Sequence, residues 1–150
     1  MRMLIDADAC PVTRIAAGLA QPYNSPVVLV CDVNHAQHIP GAQVIVVDQG
    51  ADAADIALAN HCRAGDRVVT QDYGVAALVL GRGGCAIHQS GKWYTNDNIE
   101  GLLQERYVAG KQRRAKRRSH LKGPPKHTPE DDRRFAASLE RLIRTRLGLG

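Results

Sequence analysis

The sequence predicts an open α/β fold, a parallel sheet covered by helices on both faces. Three observations predict it. Short β-branched and aliphatic runs, "RMLID", "SPVVLVCD", "QVIVVD" and "DRVVTQD", alternate with helix-patterned segments over residues 1–90. The second run is apolar at successive positions, which marks a strand buried on both faces. Acids close the runs at Asp6, Asp32, Asp48 and Asp72, as expected if every strand carries its carboxyl end to the same edge. Strand–helix alternation of this kind builds βαβ units with right-handed crossovers. The 150 residues suffice for one ordinary domain with a real core.

Each element has its own reason. Met3 to Ile5 form an apolar strand, and Pro11 suits the first turn of a helix through "VTRIAAGLAQ", because its missing N–H is not needed there. "SPVVLVCD" is the second strand, and after the turn-rich "HAQHIPG" comes the third, "QVIVVD". "GADAADIALANHC" has helical spacing, with Ile56, Leu58 and Ala59 on its apolar side. A turn and fourth strand follow in "AGDRVVTQD", a short helix over 74–80, and a weak fifth strand in "GCAIH". A strand order of 3-2-1-4-5 puts the first and fourth strands side by side at the switch point.

The last third differs. A helix is expected over about 96–118, beginning "TNDNIEGLLQERY" and becoming strongly basic in "KQRRAKRRSH". The breaker "KGPPKHTP" separates it from a C-terminal helix over about 129–147, in which Phe135, Leu139, Leu142 and Ile143 make one apolar stripe. We read residues 1–150 as a single domain carrying both helices.

Composition narrows the function. No apolar run approaches the roughly 20 residues that cross a bilayer, and acids come too early for a signal peptide; the expected location is the cytoplasm. Cys10, Cys31, Cys62 and Cys85 include no CxxC pair, so reduced thiols are expected rather than a disulfide framework or zinc knuckle. Only Cys10 lies beside an acidic pair. No GxxxxGK[ST] phosphate loop is present. The net charge of +5 is unevenly distributed: residues 1–100 hold six Lys and Arg against ten Asp and Glu, and residues 101–150 hold fourteen against five. A basic region beside an acidic one suits a protein that grips a polyanion and brings metal ions to it.

The carboxylates are the candidate chemistry. In an open α/β sheet ligands bind at the carboxyl edge, near the switch point, which is where Asp6, Asp8 and Asp72 fall. Asp52 and Asp55, three apart, share a helix face. Capping explains Asp52, Asp55 and Asp72 equally well. It does not explain Asp6, which directly continues an apolar strand. A desolvated carboxylate needs a cation or several donors, and with Asp8 close by a divalent cation is the simplest partner. An all-oxygen donor set favours Mg²⁺ or Mn²⁺ over zinc.

"DADACPV", "VDQGADAADIA", "GDRVVTQD", "YTNDNI" and "GPPKHTPEDDRRFAASLERLI" occur in the order seen in the YaiI/YqxD family, which the whole chain resembles. That family is grouped with the PIN-like nucleases. The resemblance implies a three-layer PIN-like fold with an acidic metal site at the carboxyl edge. By motif it places Asp6 and Asp8 in the first acidic position, Asp52 and Asp55 in the helical one, and Asp72 after the fourth strand. Thr70 matches a position where PIN-like domains often carry a hydroxyl, and Asp48 also falls within a family motif. The chain departs from the family in "YGVA" after Asp72, in "HQSG", and in lacking a tryptophan after "ADAAD". These changes touch the walls of the cleft rather than its acids.

The expected function is metal-dependent hydrolysis of phosphodiester bonds in RNA or another nucleic acid. Asp6, Asp8, Asp55 and Asp72 would be catalytic, the same four with Asp52 would hold the metal, and Thr70 and Asp48 would support them. Lys111, Arg113, Arg114, Lys116, Arg117 and Arg118 would contact phosphates, without reading sequence. Tyr73, Trp93, Tyr94 and Tyr107 are too few for a base-stacking platform and are read as packing residues. One alternative is a non-catalytic nucleic-acid-binding or regulatory module. Another is an aspartyl-phosphate-type phosphatase, which shares a strand ending in DxD; here Pro11 follows "DADAC" and no lysine occurs before Lys92.

Overall fold

The computed structural model describes the chain except for residues 1, 8, 9, 34–37, 49–52, 105–126, 147, 149 and 150. Its strands are β1 (Met3–Asp6), β2 (Val27–Asp32), β3 (Gln43–Val47), β4 (Arg67–Val69), β5 (Cys85–Ile87) and β6 (Trp93–Tyr94). They form one sheet in the order β3-β2-β1-β4-β5-β6. The first five are parallel, in the predicted order, and β6 is antiparallel to β5, with Ile87 opposite Trp93. The sequence reading lacked β6. Two residues give no periodicity, and the pairing is made by the hairpin before it, where His88 N–H donates to Lys92 O at 2.9 Å and Gly91 N–H to His88 O at 2.9 Å.

Strand alternation sorts the sheet's residues into two faces. Met3, Ile5, Leu29, Cys31, Val69 and Ile87 pack with Ala16, Ala20, Phe135, Leu139 and Ile143, beneath α1 (Thr13–Ala20) and α5 (Pro129–Arg146). Leu4, Val28, Val30, Val68 and Ala86 pack with Leu58, Val75, Ala76 and Val79, beneath α2 (Ala53–His61) and α3 (Tyr73–Gly81). The three layers expected from the sequence are present. Pro11 and Val12 form a turn and α1 begins only at Thr13, so the proline precedes the helix instead of entering it.

Side-chain caps set two of the helix starts in the last third. Thr95 N–H donates to Asn98 Oδ1 at 2.9 Å while Asn98 N–H donates to Thr95 Oγ1 at 3.2 Å. This reciprocal cap opens α4, helical over 99–104, so the expected helix starts three residues after 96. Its basic continuation lies outside the described residues. Thr128 and Asp131 repeat the device at α5, with Thr128 N–H on Asp131 Oδ2 at 2.9 Å and Asp131 N–H on Thr128 Oγ1 at 3.2 Å. Pro129 stands at the first helical position, where proline is pre-shaped for helix. Phe135, Leu139 and Ile143 are fully buried and Leu142 is only partly so, which bears out the apolar stripe.

One ion pair ties the amino edge of the sheet together. Asp66 is buried, and its carboxylate accepts from Arg2 Nη2 at 2.9 Å, Arg2 N–H at 3.1 Å and Arg63 N–H at 2.9 Å. Burial alone would raise its pKa, but these donors outweigh burial and hold it below the usual value of 3.8. A depressed carboxylate adds stability above its unfolded pKa that is lost as pH falls through the folded one. Asp66→Ala strands the Arg2 and Arg63 donors and is expected to cost about 3 kcal/mol in chemical denaturation at pH 7. The gap between wild type and variant should narrow as pH falls below 3.8; a gap independent of pH would show that the ionised carboxylate contributes nothing.

Candidate functional site at the carboxyl edge

Register decides which side chains meet at this edge. Ile5 pairs with Val69 and Val69 with Ile87, so the next residue of each strand, Asp6, Thr70 and His88, falls in one row across β1, β4 and β5. Neighbouring strands are about 4.8 Å apart. Asp6 shares parity with Leu4, and Asp32 with Val28 and Val30, all on the α2/α3 face. Asp32 ends β2 and pairs with Val47, while Asp6 pairs with Val30, so Asp32 stands one strand over and two residues further out. Asp55 lies in the first turn of α2, and Asp72 begins α3. Asp6, Asp32, Asp55 and Asp72 therefore belong to the same face and the same edge, and all four are partly buried.

Their local roles differ. Asp72 caps α3: its Oδ1 accepts from Val75 N–H at 3.0 Å, the capping role weighed from the sequence. Its own N–H donates to Thr70 Oγ1 at 3.0 Å, and Thr70 O accepts from Tyr94 O–H at 3.2 Å. Thr70 is buried, so the hydroxyl acts as a brace that sets where α3 and its capping carboxylate begin. Burial pushes the Tyr94 phenol up, with Tyr73 and Asp72 adding to the effect, and it stays a neutral donor. Asp48 is exposed at the end of the edge strand β3, two strands away from β1. Asp8, Asp52 and the run from Lys111 to Arg118 lie outside the described residues. Among the described residues no three His, Cys, Asp or Glu side chains are grouped closely enough to hold a metal ion.

Cys10 is not a nucleophile in waiting. Burial raises its thiol pKa above 9.0, and the nearby Asp6 carboxylate raises it further against the hydrogen bonds that lower it. A reactive thiol needs the opposite environment. All four cysteines are free, as expected from their spacing.

His88 belongs to the rim although the sequence reading used it only as the end of a weak strand. The signal is its place at the carboxyl end of its strand, where acids end β1 and β2 and follow β3. Ser90 N–H donates to His88 Nδ1 at 3.0 Å, which leaves the neutral ring's proton on Nε2. Burial lowers its pKa below 6.5, followed by repulsion from His127 and Lys92. Because the unfolded chain binds the extra proton in that window, His88 favours folding above pH 6.5 and withdraws that support as pH falls below it. Wild type should lose melting temperature on acidification through this range more steeply than His88→Gln. Parallel pH profiles would remove His88 as the cause.

The fold and its rim define an α/β protein with an acid-lined carboxyl edge at the switch point of a parallel sheet. The chain belongs to the YaiI/YqxD family: the model described as "Uncharacterized BCR, YaiI/YqxD family" matches residues 4–145. A UPF0178 protein of Clostridium acetobutylicum is 54% identical over 143 residues, covering 95% of this chain and 97% of its own. A UPF0178 protein of Alkaliphilus oremlandii is 47% identical over 135 residues, covering 90% and 86%. Rae1 (YacP) from Bacillus subtilis aligns by structure with a TM-score of 0.43 and 17% identity, over 99% of this chain and 88% of its own. A likeness of that size says nothing about the site.

Proposed function

We propose that the chain is a metal-dependent phosphodiesterase acting on RNA or another nucleic acid. The observation that carries the reading is the placing of Asp6, Asp32, Asp55 and Asp72 on one face of the carboxyl edge, two of them ending adjacent strands; since the described acids alone make no metal-holding group, Asp8 or Asp52 would have to complete the ligand set. An all-carboxylate donor set fits a hard divalent cation. Asp6 and Asp55, with Asp72 and the motif-matched Asp8 and Asp52, would hold Mg²⁺ or Mn²⁺. Asp32 stands on the same face of the rim, at the end of β2. Bound there, the ion would supply activated water and charge neutralisation for hydrolysis at the phosphodiester.

The chain's own residues do the positioning. The Val75 amide holds the Asp72 carboxylate and the Thr70 hydroxyl holds the Asp72 backbone N–H, so that the carboxylate needs little reorganisation when substrate arrives. The Tyr94 bond to Thr70 O holds this brace from the side of β6. Lys111, Arg113, Arg114, Lys116, Arg117 and Arg118 would hold backbone phosphates, which makes binding steeply salt-dependent.

Incubation of the purified protein with a mixed RNA pool tests the reading. Cleavage in Mn²⁺ or Mg²⁺ that stops with chelator is the expected result. Salt-sensitive binding that persists in chelator, with no cleavage in either ion, would assign the chain to the non-catalytic modules instead.

A further inference from the structure

We propose that His88 and Lys92 form a phosphate subsite beside the acid rim, holding the backbone of the nucleotide next to the bond to be cleaved. The choice of a nucleic acid as the source of that phosphate rests on the reading of the rim. The subsite itself rests on the β5–β6 hairpin.

The hairpin brings the two side chains together. His88 N–H donates to Lys92 O at 2.9 Å, one residue beyond the pairing of Ile87 with Trp93, so His88 and Lys92 stand opposite each other. Directly opposed residues share a face. His88 lies two residues from Ala86 and Lys92 two from Tyr94, both in the layer beneath α2 and α3, which is also the face of Asp6, Asp32, Asp55 and Asp72. His88 closes the row begun by Asp6 and Thr70, two strand spacings or about 10 Å from Asp6.

The imidazole is held for one task. Its Nδ1 accepts Ser90 N–H at 3.0 Å, with Ser90 Oγ at 2.9 Å, and the ring meets Tyr94 edge-on with 6.3 Å between centroids. Its proton is therefore on Nε2, where among the described residues no acceptor takes it. Lys92 is exposed and, among the described residues, has no ion pair. The neighbouring His127 is already engaged, with Nε2 2.5 Å from Asp132 Oδ1 and Nδ1 4.0 Å from Asp131 Oδ2.

Two donors without an acceptor between them select an anion. The local field agrees: after burial, repulsion from His127 and Lys92 is what disfavours a second proton on His88, opposed only in part by Asp131. Hydrogen bonds to a charged phosphate oxygen are the strong kind. Contacts of this sort fix the register of a strand without reading its bases, so the subsite would set which phosphodiester lies at the acids.

Binding of the tetranucleotide UUUU to the full chain in chelator tests the subsite apart from cleavage. Wild type should bind it, and His88→Leu and Lys92→Met should each weaken binding about tenfold. His88→Gln keeps an N–H donor and should stay within about twofold of wild type, whereas a purely structural role for the ring would be lost in both His88 variants. Lys92 is exposed, so Lys92→Met leaves the fold intact and should lower the salt slope by about one. The His88 Nε2 resonance should shift with UUUU and not with uridine, which has no phosphate. Unchanged affinity in Lys92→Met would overturn the proposal, as would His88→Gln binding as weakly as His88→Leu, or no binding to wild type at millimolar UUUU. Inorganic phosphate that competes at a concentration equal to that of UUUU would also overturn it, in favour of a free-anion site. Cleavage of the RNA pool in Mn²⁺ judges the rim separately: an inactive protein with these binding differences loses the rim reading and keeps the subsite.

Discussion

Asp6→Asn is expected to lower metal-dependent RNA cleavage by about a hundredfold or more while leaving the protein folded. Asparagine matches aspartate in shape, and β1 keeps its ladder, since the neighbouring bond from Ala7 N–H to Val30 O at 2.9 Å is made by the backbone alone. What disappears is one charge at the centre of the rim, between β2 and β4. Two readouts separate this from damage to the fold. In chelator the variant should melt at the wild-type temperature or above it, because removing one of several like charges relieves repulsion. Added Mn²⁺ should then raise the melting temperature of wild type more than that of the variant, since a ligand stabilises only the state that binds it. Equal cleavage by the two proteins would remove Asp6 from the site.

Phe135→Ala should be the most destabilising truncation in the core, costing about 3–5 kcal/mol. Phe135 is the chain's one phenylalanine and is fully buried in the layer between the sheet, α1 and α5. The site has little freedom to collapse. Gly91 has φ +90°, and a Cβ there would lie 2.7 Å from Arg134 O and 3.1 Å from Phe135 Cα. Ser138 Oγ donates to Gly91 O at 2.7 Å, so the β5–β6 turn is seated directly on α5. Denaturant unfolding of Phe135→Ala beside Leu142→Ala gives the comparison: the partly buried Leu142 should cost much less. A loss below about 1 kcal/mol at Phe135 would mean that α5 is not anchored through this stripe, whatever its burial.

The site was less visible in the sequence than the fold, for reasons that particular residues make plain. Asp72 reads as a capping residue and is one, yet its place beside Thr70 and on the face of Asp6 comes from the pairing of β4 with β1. Asp32 looks like any acid closing a strand; its rim position follows from β2 lying next to β1. His88 gives no signal of its own in "GCAIH", and its tautomer depends on a turn that brings the Ser90 amide to the ring.

Local and repetitive information was enough for the βαβ alternation, the apolar stripe of α5 and the free cysteines. Hydrophobic periodicity, capping residues and chain connectivity act over a few residues, and a parallel sheet has few ways to assemble from them. Which side chains share a face at the rim, and which residues brace them from other strands, depend on contacts between distant parts of the chain. Those arise only when the strands choose their neighbours and register, because a shift of one residue sends each side chain to the other face.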